Sequence, residues 1–353
     1  MARWKVILTL TTVIALHSTA AHAAKPAPRS FFGLVPNHGL KASDYQMIKQ
    51  ANVGAARVSL FWKAIELRND QFYWDATDGM IGGFAARGIR SLPQLFGSPA
   101  WVADNVMAPP VESPAQQAEW MEFVSEAVRR YGPGGTYWST AYRLQFPGAQ
   151  PMPITTWQIW NEENGPKHFY PRPDVNRYAT LLRISRAAIS GRDPAASILT
   201  GGIVSRPTGE GGIPAWRYVR KLLKVGGPFD HVALHPYARN PREIASHIKK
   251  VRRVLKKGKK KKARVWLTEV GWSSDPSGVS PKLSTTAKGQ AKRLAKTYKK
   301  LKKKRRKWRI GGVYWYTWRD FGGGVCDWCP HAGLVTSALG PKPAFTAYAR
   351  IAG

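Results

Sequence analysis

Two glutamates stand at the ends of short apolar runs, where a carboxylate is costly unless it is paired, solvated or used in chemistry. Glu162 follows the run TWQIW and Asn161, and Glu269 follows RVWLT. Two carboxyl groups about 5–5.5 Å apart can cleave a glycosidic bond, one as acid/base and the other as nucleophile. The acid must hold its proton near neutral pH and the nucleophile must stay ionised, which predicts different surroundings for the two side chains.

The elements that would position these glutamates form a regular alternation. Eight apolar or β-branched runs predict strands at Phe31–Val35, Ala55–Phe61, Ile89–Phe96, Thr155–Asn161, Ser197–Ile203, His231–His235, Arg264–Glu269 and Gly312–Trp318. Amphipathic segments between them predict helices, among them Ser43–Ala51, Pro114–Tyr131, Pro173–Ser190 and Pro241–Lys257. Eight strands that alternate with helices predict an α/β fold, a single (β/α)8 TIM barrel.

An open doubly wound sheet is the alternative to this barrel. Such a sheet usually carries a Gly-rich phosphate loop after its first strand, whereas here the first strand runs into LVPNHG. In a barrel, functional groups follow the carboxyl ends of the strands. The two glutamates then follow strands four and seven, which face each other across the barrel mouth. Arg57, inside strand two, is a buried cation that would pair with a carboxylate, either in the site or in a structural salt bridge.

Further motifs follow the same order along the chain. WKAIELRNDQFYWDATDGMI begins at the end of strand two, LPQLFGSPAW covers strand three and its loop, HPY ends strand six, and VYWYTWRD covers strand eight. Together with the Asn161–Glu162 pair and the second glutamate, this set resembles the clan A retaining (β/α)8 glycoside hydrolases, which include families five and thirty-nine. The resemblance covers essentially the whole chain after residue 23. Gly97–Ser98 departs from family five, which often has a histidine at that point.

The resemblance implies a secreted retaining β-glycoside hydrolase that acts on a polysaccharide or oligosaccharide by double displacement. Glu162 would be the acid/base and Glu269 the nucleophile, with Glu163 as a less favoured candidate for the acid. Asn161 would hydrogen-bond the 2-hydroxyl of the sugar. The resemblance also implies side chains that hold Glu269 or line its pocket: Arg57, Tyr237 and His235.

Aromatic side chains complete the predicted site, because their rings stack on the apolar faces of sugars. The resemblance implies that Trp318, or alternatively Trp315, forms the floor under the sugar, and Trp272 and Trp101 would form further subsites. Core packing is the alternative for each of these tryptophans. We predict no metal ligand and no cofactor.

The N-terminus has the pattern of a secretory signal peptide over residues 1–23. Arg3 and Lys5 precede the apolar run Val6–Leu16, and Ala21-His22-Ala23 is an A-x-A cleavage pattern. An uncleaved membrane anchor is the alternative. We therefore expect residues 24–353 to form the catalytic domain, without a transmembrane segment, in a protein that is extracellular or associated with the cell envelope. In that compartment Cys326 and Cys329, in the run CDWC, would form a disulfide; free thiols and a redox pair are the alternatives.

The formal net charge of +34 is concentrated in two runs without acids. Residues 249–264 hold 11 basic side chains and residues 292–309 hold 12. Both runs lead into a predicted strand, which places them at the face of the barrel opposite the glutamates. They predict a solvated face or attachment to an anionic cell-surface polymer; nucleic acid is less favoured, because aromatic residues do not interleave with the basic ones.

Three other functions compete with hydrolysis. The chain could be a non-catalytic barrel that binds carbohydrate or anionic polymer, or a basic adhesion or nucleic-acid-binding protein. It could also be a transglycosylase that uses the same two glutamates with a sugar as acceptor. The presence of both carboxylates favours the enzyme.

Overall fold

The computed structural model describes Met1 and residues 26–36, 39–278, 280–323 and 326–353. The predicted signal peptide, apart from Met1, lies outside the described residues. The described strands are β1 (Phe32–Val35), β2 (Ala55–Phe61), β3 (Glu66–Arg68), β4 (Gln71–Phe72), β5 (Arg90–Phe96), β6 (Thr156–Ile159), β7 (Ser197–Leu199), β8 (Ile203–Val204), β9 (Val232–His235), β10 (Val265–Val270) and β11 (Ile310–Tyr316).

Helices follow nearly every strand of the main sheet. They are α1 (Ala42–Gln50), α2 (Trp62–Ile65), α3 (Asp75–Ala85), α4 (Pro114–Tyr131), α5 (Thr136–Ser139), α6 (Ala141–Gln145), α7 (Val175–Arg192), α8 (Ala215–Lys224), α9 (Pro241–Lys257), α10 (Ala287–Trp308) and α11 (Pro343–Ala352). Four long helices begin after a side chain that accepts hydrogen bonds from the first turn, which stabilises a helix start. These N-caps are Ser113, Asp174, Asn240 and Thr286.

The main sheet has nine strands in the order β7-β6-β5-β2-β1-β11-β10-β9-β8, and every neighbouring pair is parallel. The short strands β3 and β4 form a separate antiparallel hairpin. Parallel strands joined by helices place all their carboxyl ends at one edge. The sheet curls, and helices surround it, which is a TIM-like α/β arrangement.

The two outer strands of this order, β7 and β8, are consecutive in the chain and are separated by Thr200–Gly202. The sequence predicts one continuous strand here, and that prediction is wrong because two glycines interrupt it. Gly202 has φ +90°, and a Cβ on it would lie 2.4 Å from His235 Nε2. A Cβ on Gly201 would lie 2.4 Å from Glu163 Oε2. The interruption therefore lets two polar side chains approach the backbone closely.

Two apolar clusters hold the sheet. The larger one lies between strands and helices and includes the fully buried rings of Trp62, Trp120 and Trp160. The smaller one takes one side chain from each of six strands and fills the inside of the curl: Val35, Ala55, Leu92, Leu199, Ala233 and Tyr314. Among the helices that the structure describes, none is long and apolar enough to span a bilayer.

Candidate active site

Glu162 lies just beyond the carboxyl end of β6, in a backbone conformation that places its side chain over the mouth of the sheet. Trp160 and Glu162 have φ values of +72° and +46°. These left-handed values cost a non-glycine residue about 1–2 kcal/mol, and such positions cluster at functional sites. Two histidines contact the carboxylate: His235 Nδ1 lies 2.7 Å from Oε1 and His168 Nδ1 lies 3.0 Å from Oε2.

Glu269, on β10, is held by one side chain from inside β2 and one from the loop after β9. Arg57 on β2 donates from Nη1 to Oε1 at 2.5 Å. The Tyr237 hydroxyl donates to Oε2. The same guanidinium donates to Asn161 Oδ1 at 3.0 Å and to Gln158 Oε1 at 2.8 Å. Arg57 is thus fixed by three partners, and its positive charge lies against the nearly buried carboxylate of Glu269.

The imidazole of His235 lies between the two glutamates. Its Nε2 is 3.5 Å from Glu269 Oε1, while its Nδ1 bonds Glu162. One carboxylate oxygen of Glu162 lies within 4.8 Å of one of Glu269. The structure thus brings together the predicted residues Arg57, Asn161, Glu162, His235, Tyr237 and Glu269.

The titration of these groups follows from their partners. Burial raises the pKa of Glu162, but hydrogen bonds from His168 and His235 outweigh burial and bring that pKa below its usual range. Burial lowers the pKa of His168, and the hydrogen bond to Glu162 more than offsets this, so its pKa is raised. Burial, with the charge of Glu269, keeps the pKa of Tyr237 well above its usual range, so Tyr237 stays a donor. The raised pKa expected of the acid is therefore not observed for Glu162, because hydrogen bonds from the two histidines stabilise its carboxylate.

Glu163, the less favoured candidate for the acid, points away from Glu269. Its Oε1 accepts from the backbone N–H of Gly201 at 3.3 Å, and its Oε2 is buried without a hydrogen-bond partner among the described residues. Burial raises the pKa of Glu163 to about 8. Its side chain is a neutral acid packed beneath the interrupted strand rather than a group facing a substrate.

Glu162, His235 and Glu269 also present donor atoms close enough for one metal ion. The Arg57 guanidinium already lies 2.5 Å from the Glu269 oxygen that a cation would share. Because a fixed positive charge there repels a second cation, the arrangement fits carboxyl chemistry better than metal binding.

Three of the four predicted tryptophans do not line the site. Trp272 and Trp315 are fully buried and donate to the carbonyls of Ala238 and Ala332. Trp318 is 1% exposed and donates to Asp44 Oδ1 at 2.7 Å. The prediction for Trp318 is wrong because β11 ends at Tyr316, so the chain has left the sheet before residue 318.

Trp101 is exposed, with its ring packed edge-on against Trp62. It lines a cavity of about 480 Å³ in the loop after β5. A second cavity of about 660 Å³ shares Ala103, Asp104 and Asn105 with the first and extends to the exposed Tyr170. The two cavities share lining residues on the loop after β5, and the second also contacts the loop after β6.

The structure adds residues that the sequence analysis leaves out of the site. The ring of Tyr316, at the end of β11, and that of Trp328 lie 5.9 Å apart, and Trp328 also packs 4.9 Å from Tyr237. Burial, with the charges of Glu269 and Glu162, raises the pKa of Tyr316. The sequence could have indicated Tyr316 as a site residue, because it is an aromatic residue near the end of a predicted strand.

His168 has no comparable signal, because it lies in a loop six residues after Glu162. Trp160 Nε1 donates to its carbonyl at 2.7 Å and so fixes the loop. The predicted Cys326–Cys329 pair is bonded, with Cα atoms 5.5 Å apart. This pair encloses Trp328 and thereby holds the ring next to Tyr237.

A curled parallel sheet with its polar groups gathered at the carboxyl ends of the strands defines a TIM-like α/β protein. Among solved structures, the chain is similar to a family 39 glycoside hydrolase from the gut symbiont Bacteroides cellulosilyticus WH2, with 22% identity over 92% of this chain and a TM-score of 0.69. It is similar to a monomeric β-xylosidase from Caulobacter crescentus CB15, with 17% identity, coverage of 93% of this chain and 69% of that one, and a TM-score of 0.67. It is also similar to xylanase 10B from Thermotoga maritima, with 14% identity, coverage of 91% and 93%, and a TM-score of 0.56.

The chain spans 63% of the length of the family 39 hydrolase. No protein-family model matches the chain, and no curated protein matches it in sequence. The resemblance to (β/α)8 glycoside hydrolases predicted from the sequence is confirmed by these neighbours. At identities below 25%, the likeness establishes the fold.

Proposed function

We propose that the protein is a retaining β-glycoside hydrolase with Glu162 as acid/base and Glu269 as nucleophile. The observation that carries the proposal is the approach of the two carboxylates within 4.8 Å, with Arg57 bonded to Glu269. Inverting enzymes need about 6.5–9.5 Å between the carboxyl groups to admit a water, whereas retaining enzymes need about 5–5.5 Å. The short separation supports retention.

The two steps assign each group a charge state. In the first step Glu162 protonates the glycosidic oxygen as Glu269 attacks the anomeric carbon, and a covalent glycosyl ester forms. In the second step Glu162 takes a proton from water, which attacks the same carbon and releases Glu269. The Arg57 bond to Asn161 Oδ1 turns the amide NH2 of Asn161 away from the guanidinium, and there it can donate to a sugar hydroxyl.

The proton that Glu162 delivers is held by the Glu162–His168–His235 cluster. Each histidine lies within 3.0 Å of one Glu162 oxygen. As a leaving group departs, the proton moves through Glu162 to the glycosidic oxygen, and the cluster is reprotonated from solvent through the partly exposed His168.

Substrate and architecture complete the proposal. The two cavities lined by Trp101 and by Tyr170 would hold parts of a polysaccharide or oligosaccharide, because these exposed aromatic rings can stack on sugar faces. The sheet would close as an eight-stranded barrel, with residues 197–204 as one interrupted strand. Support comes from the bridge between Leu199 and His231 and from the cluster that fills the inside of the curl.

The signal pattern in residues 1–23 supports secretion, which release of the mature chain into the medium would test.

Glu269→Ala is the decisive variant, assayed on aryl β-glycosides and on soluble β-glucans, xylans, mannans and galactans. We expect turnover to fall at least about 1,000-fold, as for the loss of a nucleophile. Azide should restore cleavage and give the glycosyl azide of inverted configuration. Glu163→Gln is the matched control, because it alters a neighbouring glutamate that does not face the site.

The alternatives give different results in the same assay. Wild-type turnover in Glu269→Ala would refute the assigned nucleophile. Binding of oligosaccharides without turnover by the wild-type protein would favour a non-catalytic carbohydrate-binding barrel. Glycosyl transfer to an added sugar in preference to water would identify a transglycosylase.

A further inference from the structure

The sheet edge opposite the glutamates carries a concave pocket of about 400 Å³ that is lined by four arginines. Arg264 precedes β10, and Arg305, Arg306 and Arg309 come from the end of α10 and the turn after it. The rest of the lining is apolar or backbone: Pro26, Pro28, Phe31, Ile310 and Gly311. No acidic side chain lines this part of the described structure.

The backbone around the pocket is preorganised. Arg309 adopts φ +51° and ψ +51°, and its N–H caps the last carbonyls of α10 at Arg305 and Arg306. The capping satisfies carbonyls that would otherwise repel an anion. The Arg309 guanidinium donates to Lys262 O at 2.8 Å, so its position is set by the turn before β10.

The pocket concentrates the positive charge of four arginines. The nearby acid Asp230 is already paired with Arg186 at 2.5 Å. Burial and the neighbouring Arg309 charge lower the pKa of Arg252, which packs against the same turn. Like charges held this closely repel one another, and a bound anion would relieve that repulsion.

We propose that this pocket binds the charged side groups of an acidic polysaccharide. A guanidinium pairs with planar oxyanions through two parallel hydrogen bonds, which suits carboxylate, sulfate or phosphate. A pocket, in contrast to a flat basic face, admits a group that projects from a polymer. Single-stranded nucleic acid is disfavoured, because its binding sites interleave aromatic rings with the basic residues, whereas Phe31, the one aromatic side chain in the described lining, is buried.

The anion site is separate from the proposed catalytic site. Ile310 lines the pocket and Tyr316 borders the glutamates, and six residues of a strand span about 20 Å. Binding at the pocket therefore does not depend on glycosidase activity.

The test compares two double variants that lose the same charge. Arg264→Gln with Arg306→Gln removes two guanidiniums from the pocket. Lys292→Gln with Lys296→Gln removes two exposed charges from the start of α10, about 20 Å away along the helix axis. Polygalacturonate, dextran sulfate and inorganic phosphate are the anionic probes, with duplex DNA at equal charge concentration as competitor.

We expect the pocket variant to raise the Kd for polygalacturonate at least tenfold and the control variant to raise it less than threefold. Arg264→Lys with Arg306→Lys keeps the charge but loses the guanidinium fork, and it should weaken binding at least threefold. Unfolding midpoints and turnover of a small neutral glycoside should match the wild-type values in all variants. Inorganic phosphate that displaces polygalacturonate would support the pocket as a site for single oxyanions.

Equal weakening in both glutamine variants would overturn the proposal, because diffuse charge would then explain the binding. Preference for duplex DNA over either polysaccharide would overturn the ligand class. A wild-type protein that binds none of the polymers at low salt would overturn both.

Discussion

Replacing His168 with Asn should raise the pKa of Glu162. The imidazole Nδ1 lies 3.0 Å from Glu162 Oε2, and the raised pKa of His168 keeps it charged over a wider pH range than a free histidine. Asparagine is polar and of similar size, but it carries no charge. The variant therefore removes a hydrogen bond and a positive charge that favour the ionised form of Glu162.

The size of this change follows from the contact distance. Two unit charges 3.0 Å apart attract by about 5.5 kcal/mol at an effective dielectric constant of about 20. The His168 side chain is 29% exposed, so water screens part of this attraction, and His235 still contacts the other oxygen. One pKa unit corresponds to about 1.4 kcal/mol, and we expect a rise of about one to two units.

Carbon NMR of protein labelled at the glutamate carboxyl carbons measures the titration directly, with Glu162 assigned through Glu162→Gln. The pH dependence of kcat/KM gives a second readout. A group whose pKa rises holds its proton to higher pH, so the basic limb of the profile should move upward by the same amount. The acidic limb, which reports a different group, should stay in place.

His247→Asn is the matched control, because this histidine lies on α9 and burial lowers its pKa to about 4. It should leave the titration of Glu162 unchanged. An unchanged or lowered Glu162 pKa in His168→Asn would refute the assigned ion pair, as would equal shifts in the two histidine variants.

Three further variants test the surroundings of the two glutamates. Arg57→Gln leaves the nearly buried carboxylate of Glu269 without its cation. We therefore expect the free energy of unfolding to fall by about 3–5 kcal/mol and kcat to fall at least a hundredfold. An unchanged urea midpoint would contradict this. Tyr237→Phe removes a hydrogen bond to charged Glu269, which is worth about 1.5–3 kcal/mol, so kcat/KM should fall about 10- to 100-fold. Wild-type kinetics in this variant would exclude the contact. Glu163 has its pKa raised to about 8 in the folded protein, so it binds a proton that the unfolded chain releases above about pH 4.5. Between about pH 4.5 and 8, the stability that Glu163 contributes therefore falls by up to about 1.4 kcal/mol per pH unit. Glu163→Gln should remove this pH dependence from the urea midpoints measured at pH 5 and pH 8. The same pH dependence in wild type and variant would rule out a neutral Glu163.

The sequence predicts the elements best where local chemistry marks their ends. The predicted bounds of α4 and α9 coincide with the observed ones, because Ser113 and Asn240 cap helices whose first residue is proline. The seventh strand extends one residue beyond Glu269. The fifth strand is predicted as continuous and is not, since its apolar pattern hides the backbone turn at Gly201 and Gly202.

Side-chain direction is what local patterns predict least well. Tyr316 and Trp318 are two residues apart, so a continuous eighth strand would place both side chains on the same face. The chain leaves the sheet after Tyr316, and for that reason Tyr316 reaches the site and Trp318 does not. His168 approaches Glu162 because Trp160 holds the intervening loop. Such a contact depends on tertiary packing, so neither residue type nor spacing reveals it.

The distribution of charge limits what the basic runs can do to the glutamates. The arginine pocket and the glutamates lie at opposite ends of strands, about 20 Å apart, whereas the Debye length is about 8 Å at physiological ionic strength. The low-dielectric interior between them transmits part of the electric field of the pocket. The field of the Arg57 guanidinium, 2.5 Å from Glu269, is far stronger at that carboxylate. Arg57, rather than the net charge of +34, therefore dominates the electrostatic potential at the proposed nucleophile. It follows that the arginine-pocket variants should change the salt dependence of polymer binding and leave the pH profile of turnover where it is.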